Sequence, residues 1–170
     1  FLVLKVGIIG YGKMGRSRYH EVIASGKAEV VSVFDSVEID SHLPCATTAD
    51  EVIENSTIDA VFICTPNYLN RHLTVQALKA GKHVFCEKPP ALNAAEVAQM
   101  KDAAETAGKT LMFNFNNRAR PESYALRDYI KGGEVGRINS AQAKWIRRTG
   151  IPGFGGWFTN KELSGGGPLI

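Results

Sequence analysis

The chain has 170 residues, 44% of them hydrophobic and 22% charged, with a formal net charge of +3, which suits one full folded core and excludes disorder. Basic residues are scattered apart from the pair at 147–148, so no basic stripe indicates nucleic-acid binding. The apolar runs are far shorter than the roughly 20 residues of a membrane span, so no membrane association is expected.

Strand-like and helix-like segments alternate along the first two thirds of the chain. The predicted strands are 2–10, 29–35, 59–65, 83–87 and 110–115, and the predicted helices are 13–25, 49–55, 69–80 and 93–107. Buried parallel strands give continuous apolar runs, and right-handed crossovers through helices stack them in one sheet. The pattern therefore predicts an α/β fold with a doubly wound parallel sheet.

The ends of the predicted helices carry recognisable signals. Capping-box spacings occur at 48–51 and at 93–96, where a Thr or Asn side chain can bind an amide of the first turn. Glycines that can adopt the left-handed conformation follow three helix ends: Gly26, Gly81 and Gly108.

The regular alternation of strand-like and helix-like segments ends after about residue 116. A helix is predicted at 121–133, followed by a strand at 137–148 and a tail rich in Gly and Pro. We interpret Trp157 and Phe158 in this tail as anchors of a loop in preference to pocket residues. The prediction is thus two domains, a complete one at 1–116 and the truncated start of an α+β domain at 117–170.

Three cysteines, at positions 45, 64 and 86, are widely spaced and form no CxxC pair. Cys64 and Cys86 lie in or beside apolar strands, which indicates packed, reduced thiols and a cytoplasmic location. The N-terminal run lacks the features of a signal peptide and is interpreted as the first strand. His72 and His83 have no ligand partner at a usable spacing, so no metal site is predicted.

A glycine-rich motif follows the first strand and opens the first helix: Gly10-Tyr11-Gly12-Lys13-Met14-Gly15. Its first glycine permits a tight turn, its second lets a pyrophosphate approach the backbone, and its third lets the helix pack closely on the sheet. Asp35 ends the second strand 20 residues after Gly15, where a carboxylate can accept the hydroxyl protons of a ribose. This order predicts a Rossmann-type dinucleotide-binding domain, whereas a glycine turn that only packs would not require the acid.

The choice of dinucleotide depends on the charges near that ribose. Asp35 would repel a 2′-phosphate, which favours NAD over NADP. Arg16 and Arg18 leave some room for NADP.

Thr65, Pro66 and Asn67 follow the third strand, at the sheet edge where doubly wound folds bind ligands. Pro66 cannot continue the strand ladder, and Asn67 can cap the next helix. The segment therefore fits a helix cap and a cofactor contact equally well.

Glu87, Lys88 and two prolines leave the fourth strand at the same edge. An ammonium beside a bound nicotinamide can hydrogen-bond a substrate hydroxyl and stabilise the developing alkoxide. The sequence Glu-Lys-Pro-Pro by itself would favour a solvated lysine in a turn. The dinucleotide-binding motif earlier in the chain, the glycine turn with Asp35, favours a catalytic Lys88 instead.

Four segments of the chain carry a family resemblance: GIIGYGKMG, TPNYLN with ALKAGKHVFCEKPPALN, FNFNNRARP, and GGGPLI. Together they resemble the glucose-fructose oxidoreductase and inositol dehydrogenase family, often written Gfo/Idh/MocA. The resemblance implies that Lys88 assists catalysis, that Glu87 lies near the nicotinamide ribose, and that Asn116 lies near cofactor and substrate. Asn70 stands where many members of the family carry His.

The resemblance also implies an activity, namely NAD(P)-dependent hydride transfer to or from a sugar, polyol or related compound. Such a full-length protein is expected to be a homo-oligomer. In the family an Asp and then a His follow the GGG-x-L segment, whereas this chain ends at Ile170. We therefore expect the 170-residue chain to bind nucleotide with little or no turnover.

Two other functions stay compatible with these motifs. One is a non-catalytic regulatory protein that senses a dinucleotide. The other is a reductase of a dihydrodiol or biliverdin-like substrate. A sensor has no need of a lysine at the hydride site, so Lys88 favours an enzyme.

Overall fold

The computed structural model describes residues 3–39, 42–144, 146, 148–149 and 155–166. The chain divides into two compact units, one made of Phe1–Asn114 with Gly155–Ile170 and the other of Phe115–Phe154. The segment Gly155–Ile170 thus groups with the first unit, although the sequence prediction placed it with the second domain. Residues 167–170, most of the GGG-x-L segment, lie outside the described residues.

The first unit is built on a five-stranded sheet in which every pairing is parallel. The strands are β1 Leu4–Ile9, β2 Ala28–Phe34, β3 Ala60–Ile63, β4 His83–Cys86 and β5 Leu111–Phe113. Their order across the sheet is β2-β1-β3-β4-β5. This arrangement confirms the predicted α/β fold with a doubly wound parallel sheet.

The strands form where they do because their apolar side chains are buried on both faces of the sheet. Two core clusters result, one containing Ile9, Val61 and Ile63 and the other containing Ile8 and Val33. All five of these side chains are fully buried. Parallel strands covered on both sides read as unbroken apolar runs, which explains why the sequence revealed them.

Helices connect the strands of the first unit. They are α1 Lys13–Ser25, α2 Ala49–Glu54, α3 Asn67–Lys79 and α4 Ala94–Ala107, and the chain adds α5 Pro121–Lys131 and α6 Lys161–Ser164. Thr48 Oγ1 accepts a hydrogen bond from the Glu51 amide at 3.1 Å, and Asn93 Oδ1 accepts one from the Glu96 amide at 3.0 Å. Both predicted caps are confirmed. Within the described residues, no helix is both long and apolar enough to cross a membrane.

The second unit contains a 3-10 helix, Asn116–Ala119, and then α5. The predicted helix at 121–133 is therefore confirmed, with an end two residues earlier. The predicted strand at 137–148 is wrong in the part described, because residues 137–144 form no strand and make no strand pairing. A strand makes its backbone hydrogen bonds with another strand, and no described segment of this unit supplies one. Positions 145 and 147 lie outside the described residues.

Candidate active site

The sheet order places a crevice at the carboxyl ends of β1 and β3. The chain leaves β1 toward β2 on one side and reaches β3 on the other, so the crossovers cover opposite faces of the sheet. A cleft of about 800 Å³ opens at this point. Its volume lies within the usual range of cofactor and substrate pockets.

The glycine turn is shaped by close backbone contacts. Gly10 has φ of +89°, and a Cβ there would lie 2.6 Å from the Cys64 carbonyl oxygen. A Cβ on Gly15 would lie 2.1 Å from the Gly10 carbonyl oxygen. A Cβ on Gly12 would meet nothing within 4 Å, and Gly12 lines the cleft. The turn thus leaves an open cradle at the N-terminus of α1, which suits a phosphate group.

Asp35 lies directly after β2 and on the wall of the same cleft. Its Oδ2 accepts a hydrogen bond from the Tyr11 amide at 2.7 Å, and its Oδ1 accepts one from the Val37 amide at 3.2 Å. These bonds hold the carboxylate beside the glycine turn. The Tyr11 side chain is buried in the core, where its ring packs edge-on against Tyr19.

A short chain of polar groups joins the exits of β3 and β4. Thr65 Oγ1 donates to Asn70 Oδ1 at 2.9 Å, and Asn70 Nδ2 donates to the Pro89 carbonyl at 2.9 Å. Asn70 is fully buried, so these bonds form away from water. The exposed Lys88 side chain therefore extends from a loop that the Asn70–Pro89 hydrogen bond fixes to the exit of β3. The Lys88–Pro89 peptide bond is cis.

Asn67 does not cap α3, so that sequence interpretation is wrong. The cap position is Pro66, and Asn67 is the first helical residue. Its Nδ2 instead donates to the Ser164 carbonyl at 2.7 Å, and the side chain is buried. Asn67 thus ties segment 155–166 to the rim of the cleft.

Glu87 lies in the cleft wall as part of a buried network. Its Oε1 accepts hydrogen bonds from Arg18 Nε at 2.7 Å and from Asn114 Nδ2 at 2.8 Å. Arg18 Nη1 also bonds Glu21. Burial lowers the pKa of Arg18, but the hydrogen bonds and charges of Glu87 and Glu21 outweigh it, so this pKa is raised. The guanidinium is therefore committed to the interior.

This network alters the interpretation of Arg18 as a group that leaves room for NADP, because Arg18 is held by Glu87. Arg16 is exposed, with its guanidinium 5.2 Å from the centroid of the Tyr11 ring, and its proposed tolerance of NADP stays a prediction. Neither the Arg18 network nor Asn114 was identified from the sequence. The usable signal was the buried stripe of α1, where Arg18 lies between Gly15 and Val22 at helical spacing. A cation on such a stripe requires an acidic partner.

Cys64, directly after β3, and Cys86, at the end of β4, both have a raised thiol pKa, which favours the neutral form. Burial raises the pKa of Cys86 to about 12. Burial, followed by the charge of Glu87, also raises the pKa of Cys64, which lines the cleft. A thiol in this state is a poor nucleophile, so Cys64 contributes packing to the cleft wall.

Trp157 and Phe158 line the cleft, which corrects their interpretation as loop anchors. They belong to a 3-10 helix, Trp157–Thr159, and their rings meet edge to face at 5.4 Å between centroids. Periodicity could not reveal this role, because a long-range contact, Asn67 to Ser164, brings the segment to the cleft.

The cleft brings together most of the residues singled out in the sequence. They are Gly10, Gly12, Lys13, Met14, Asp35, Thr65, Pro66, Asn67, Glu87 and Lys88. Tyr11 and Gly15 belong to the glycine turn but do not line the cleft. The Tyr11 side chain is buried in the core, and Gly15 packs against the backbone of Gly10. Asn116 lies in the second unit, in its 3-10 helix. The ligand-binding roles of these residues stay predictions.

Comparisons with known proteins agree with this architecture. Residues 4–115 match a family described as an oxidoreductase family with an NAD-binding Rossmann fold. The chain is 36% identical to D-glucoside 3-dehydrogenase of Escherichia coli (strain K12), over 98% of this chain and 50% of that protein. It is 33% identical to inositol 2-dehydrogenase of Rhizobium meliloti (strain 1021), over 81% of this chain and 43% of that protein.

A solved structure supports the same fold. Biliverdin reductase from Synechocystis sp. PCC 6803, in complex with biliverdin and NADP+, matches with a TM-score of 0.68 and 26% identity, over 75% of this chain and 43% of that one. The chain spans about half the length of the curated relatives it matches. Because the family match covers all five strands and the glycine turn, the chain belongs to the Gfo/Idh/MocA family of oxidoreductases with an NAD-binding Rossmann fold.

Proposed function

We propose that the whole protein is an NAD-dependent dehydrogenase acting on a hydroxyl group of a sugar or polyol. The observation that carries this proposal is the position of Lys88. Its side chain is exposed at the exit of β4 and lines the same cleft as Gly12 and Asp35. An ammonium at the rim of a dinucleotide cleft serves hydride transfer, whereas simple nucleotide binding does not require it.

The chain's own groups divide the work of binding. The amides at the start of α1, beside the open cradle at Gly12, would hold the pyrophosphate. The Asp35 carboxylate would accept hydrogen bonds from the adenosine ribose. The bound nicotinamide supplies the hydride acceptor. Lys88 would donate a hydrogen bond to the substrate oxygen and stabilise the negative charge that develops there as the hydroxyl proton passes to a base or to water.

The charges at the ribose favour NAD over NADP. Asp35 is fixed at the cleft wall by the Tyr11 and Val37 amides, where it would repel a 2′-phosphate. Arg18, a cation that could have balanced such a phosphate, is bound to Glu87. The proposed preference therefore depends on Asp35.

The substrate class is supported by the names of two relatives, D-glucoside 3-dehydrogenase and inositol 2-dehydrogenase. A second candidate, reduction of a biliverdin-like substrate, is supported by the structural neighbour that binds biliverdin and NADP+.

In the described residues no histidine lines the cleft. We propose that the 170-residue chain binds nucleotide with little or no turnover, and that the whole protein is a cytoplasmic homo-oligomer.

Calorimetric titration of the 170-residue chain with NAD+, NADH and NADPH tests the binding step. We expect NADH to bind more tightly than NADPH, and Asp35→Asn to narrow that difference. Gly12→Val serves as the blocked variant, since Gly12 has an ordinary negative φ and its Cβ would meet no protein atom within 4 Å. It should fold normally and lose binding. A folded wild-type chain that binds none of the three nucleotides would contradict the proposal.

The whole protein tests the chemistry. We expect NAD-dependent oxidation of glucosides or inositols, followed by NADH absorbance, and a large loss of kcat in Lys88→Ala with nucleotide affinity retained. Reduction of biliverdin without oxidation of any sugar or polyol would favour the second candidate.

A further inference from the structure

Glu87 is an acid buried beside a ligand cleft. Its side chain is 6% exposed, yet it contributes to the cleft wall. A carboxylate in such a place is strongly disfavoured unless a cation and hydrogen bonds compensate its charge. The groups around Glu87 therefore determine the net charge that this part of the cleft wall presents to a ligand.

Arg18 supplies that compensation, and it is held from several sides. Its Nε lies 2.7 Å from Glu87 Oε1, its Nη1 bonds Glu21, and its guanidinium carbon lies 5.9 Å from the centroid of the Phe85 ring. The Arg18 side chain is 11% exposed. Glu21, by contrast, is 58% exposed, so solvent screens its charge far more than that of Glu87.

Glu87 is also oriented by neutral groups. Asn114 Nδ2 donates to Oε1 at 2.8 Å, the same oxygen that Arg18 binds. The Lys88 amide donates to Oε2 at 3.3 Å. One oxygen is thus fixed by α1 and by the residue after β5, while the other meets the backbone of the proposed catalytic lysine.

We propose that Arg18 and Asn114 are positioning residues that hold Glu87 in the cleft, and that the Arg18–Glu87 pair sets the balance of affinity between NAD+ and NADH. This inference rests on the proposed function. The nicotinamide ring carries a positive charge when oxidised and none when reduced, so a nearby unbalanced charge changes the affinity for one form and not the other.

The two members of the pair act in opposite directions. Loss of the Arg18 charge leaves Glu87 without its cation, and the carboxylate, which the Asn114 and Lys88 hydrogen bonds keep ionised, attracts the oxidised ring. Loss of the Glu87 charge leaves the Arg18 guanidinium with only the exposed Glu21 as an ionic partner, and the unbalanced part of its charge repels the ring. Damage to the shape of the cleft would instead weaken both forms by a similar factor.

The test is calorimetric titration of the 170-residue chain with NAD+ and with NADH at neutral pH. In Arg18→Met the ratio of the NADH Kd to the NAD+ Kd should rise about three- to tenfold, given ordinary screening of charges near a protein surface. In Glu87→Gln the same ratio should fall by a comparable factor. Arg18→Lys, which keeps the charge, should restore the wild-type ratio even where both affinities drop.

Two further variants separate charge from shape. Asn114→Leu removes a hydrogen bond to Glu87 without changing the net charge, so it should weaken both forms and leave the ratio unchanged. Lys101→Met, in α4 of the first unit, removes an exposed positive charge that does not line the cleft and should change neither affinity.

The outcomes are distinct. Ratios that stay constant, or that move in the same direction in Arg18→Met and Glu87→Gln, would overturn the inference. If Arg18→Met does not fold, the fall expected in Glu87→Gln decides alone. A wild-type chain that binds neither nucleotide would instead contradict the proposed function.

Discussion

Helices α3 and α5 show how differently the two units are built. In α3 the side chains of Leu73, Ala77 and Leu78 are buried in the core of the first unit. In α5 no residue is buried, and Leu126 and Tyr129 are 61% and 57% exposed. Both segments are nevertheless helical.

This difference shows which secondary-structure elements can form without contacts to other parts of the chain. An α-helix satisfies its backbone within itself, so local signals suffice: Pro121 at the first helical position, Glu122 in the first turn and Lys131 in the last. The segment 137–144 has no such option, because a strand depends on another strand. Core variants should therefore affect the first unit far more than the second.

The largest effect is expected from a matched pair of leucines. Leu78→Ala removes a fully buried side chain from α3 and should lower the free energy of unfolding by about 2–5 kcal/mol. Leu126→Ala in α5 should change it by less than about 0.5 kcal/mol, because that side chain is largely solvated. Urea unfolding followed by circular dichroism measures both. Equal losses would refute the contrast between the units.

The next effect concerns two glycines, Gly15 within α1 and Gly132 directly after α5. Gly15→Ala places a Cβ 2.1 Å from the Gly10 carbonyl oxygen, so the turn has to shift, at a cost of about 1–3 kcal/mol. Gly132→Ala, at the end of α5, brings a Cβ 3.2 Å from the Asp128 carbonyl and should cost less than about 0.5 kcal/mol. Thermal unfolding compares the two variants. A Gly15→Ala chain as stable as wild type would contradict the close packing of α1.

Helix caps should give a smaller contrast. Asn93→Ala removes the side chain that accepts the Glu96 amide and should cost about 1 kcal/mol. Arg120→Ala is the control, because Arg120 precedes α5 without a side-chain cap bond, and its cost should stay below about 0.5 kcal/mol. Urea midpoints at constant slope measure both changes. A larger loss in Arg120→Ala would show that α5 depends on its first residues in another way.

The smallest expected effect is a pH dependence at α2. Hydrogen bonds from the Thr47 hydroxyl and amide lower the pKa of Glu51 below its ordinary value of 4.5. The folded state therefore binds this proton less readily, and the stabilisation is present above pH 4.5 and lost as the pH falls through the folded value. Glu51→Gln and Thr47→Val should both flatten the acid limb of stability against pH. An unchanged limb in both variants would contradict this assignment.

Much of the fold could be predicted because its signals are local. Thr48 and Asn93 cap the predicted helices, and α1 begins and ends at the predicted residues. The cleft was predictable in outline, since carboxyl ends of parallel strands share one edge of the sheet. The roles of Asn67 and Arg18 were not predictable in this way, because each depends on a partner distant in sequence.

The sequence by itself determined the parallel sheet, the glycine turn, and the placement of Asp35 and Lys88 at strand exits. Periodicity and backbone geometry are local properties, and strand ends follow from them. The tertiary structure alone decided that Arg18 turns inward to Glu87 and that Trp157 reaches the cleft. Those outcomes arise because burial forces each charged or polar group to find a partner, wherever in the chain that partner lies.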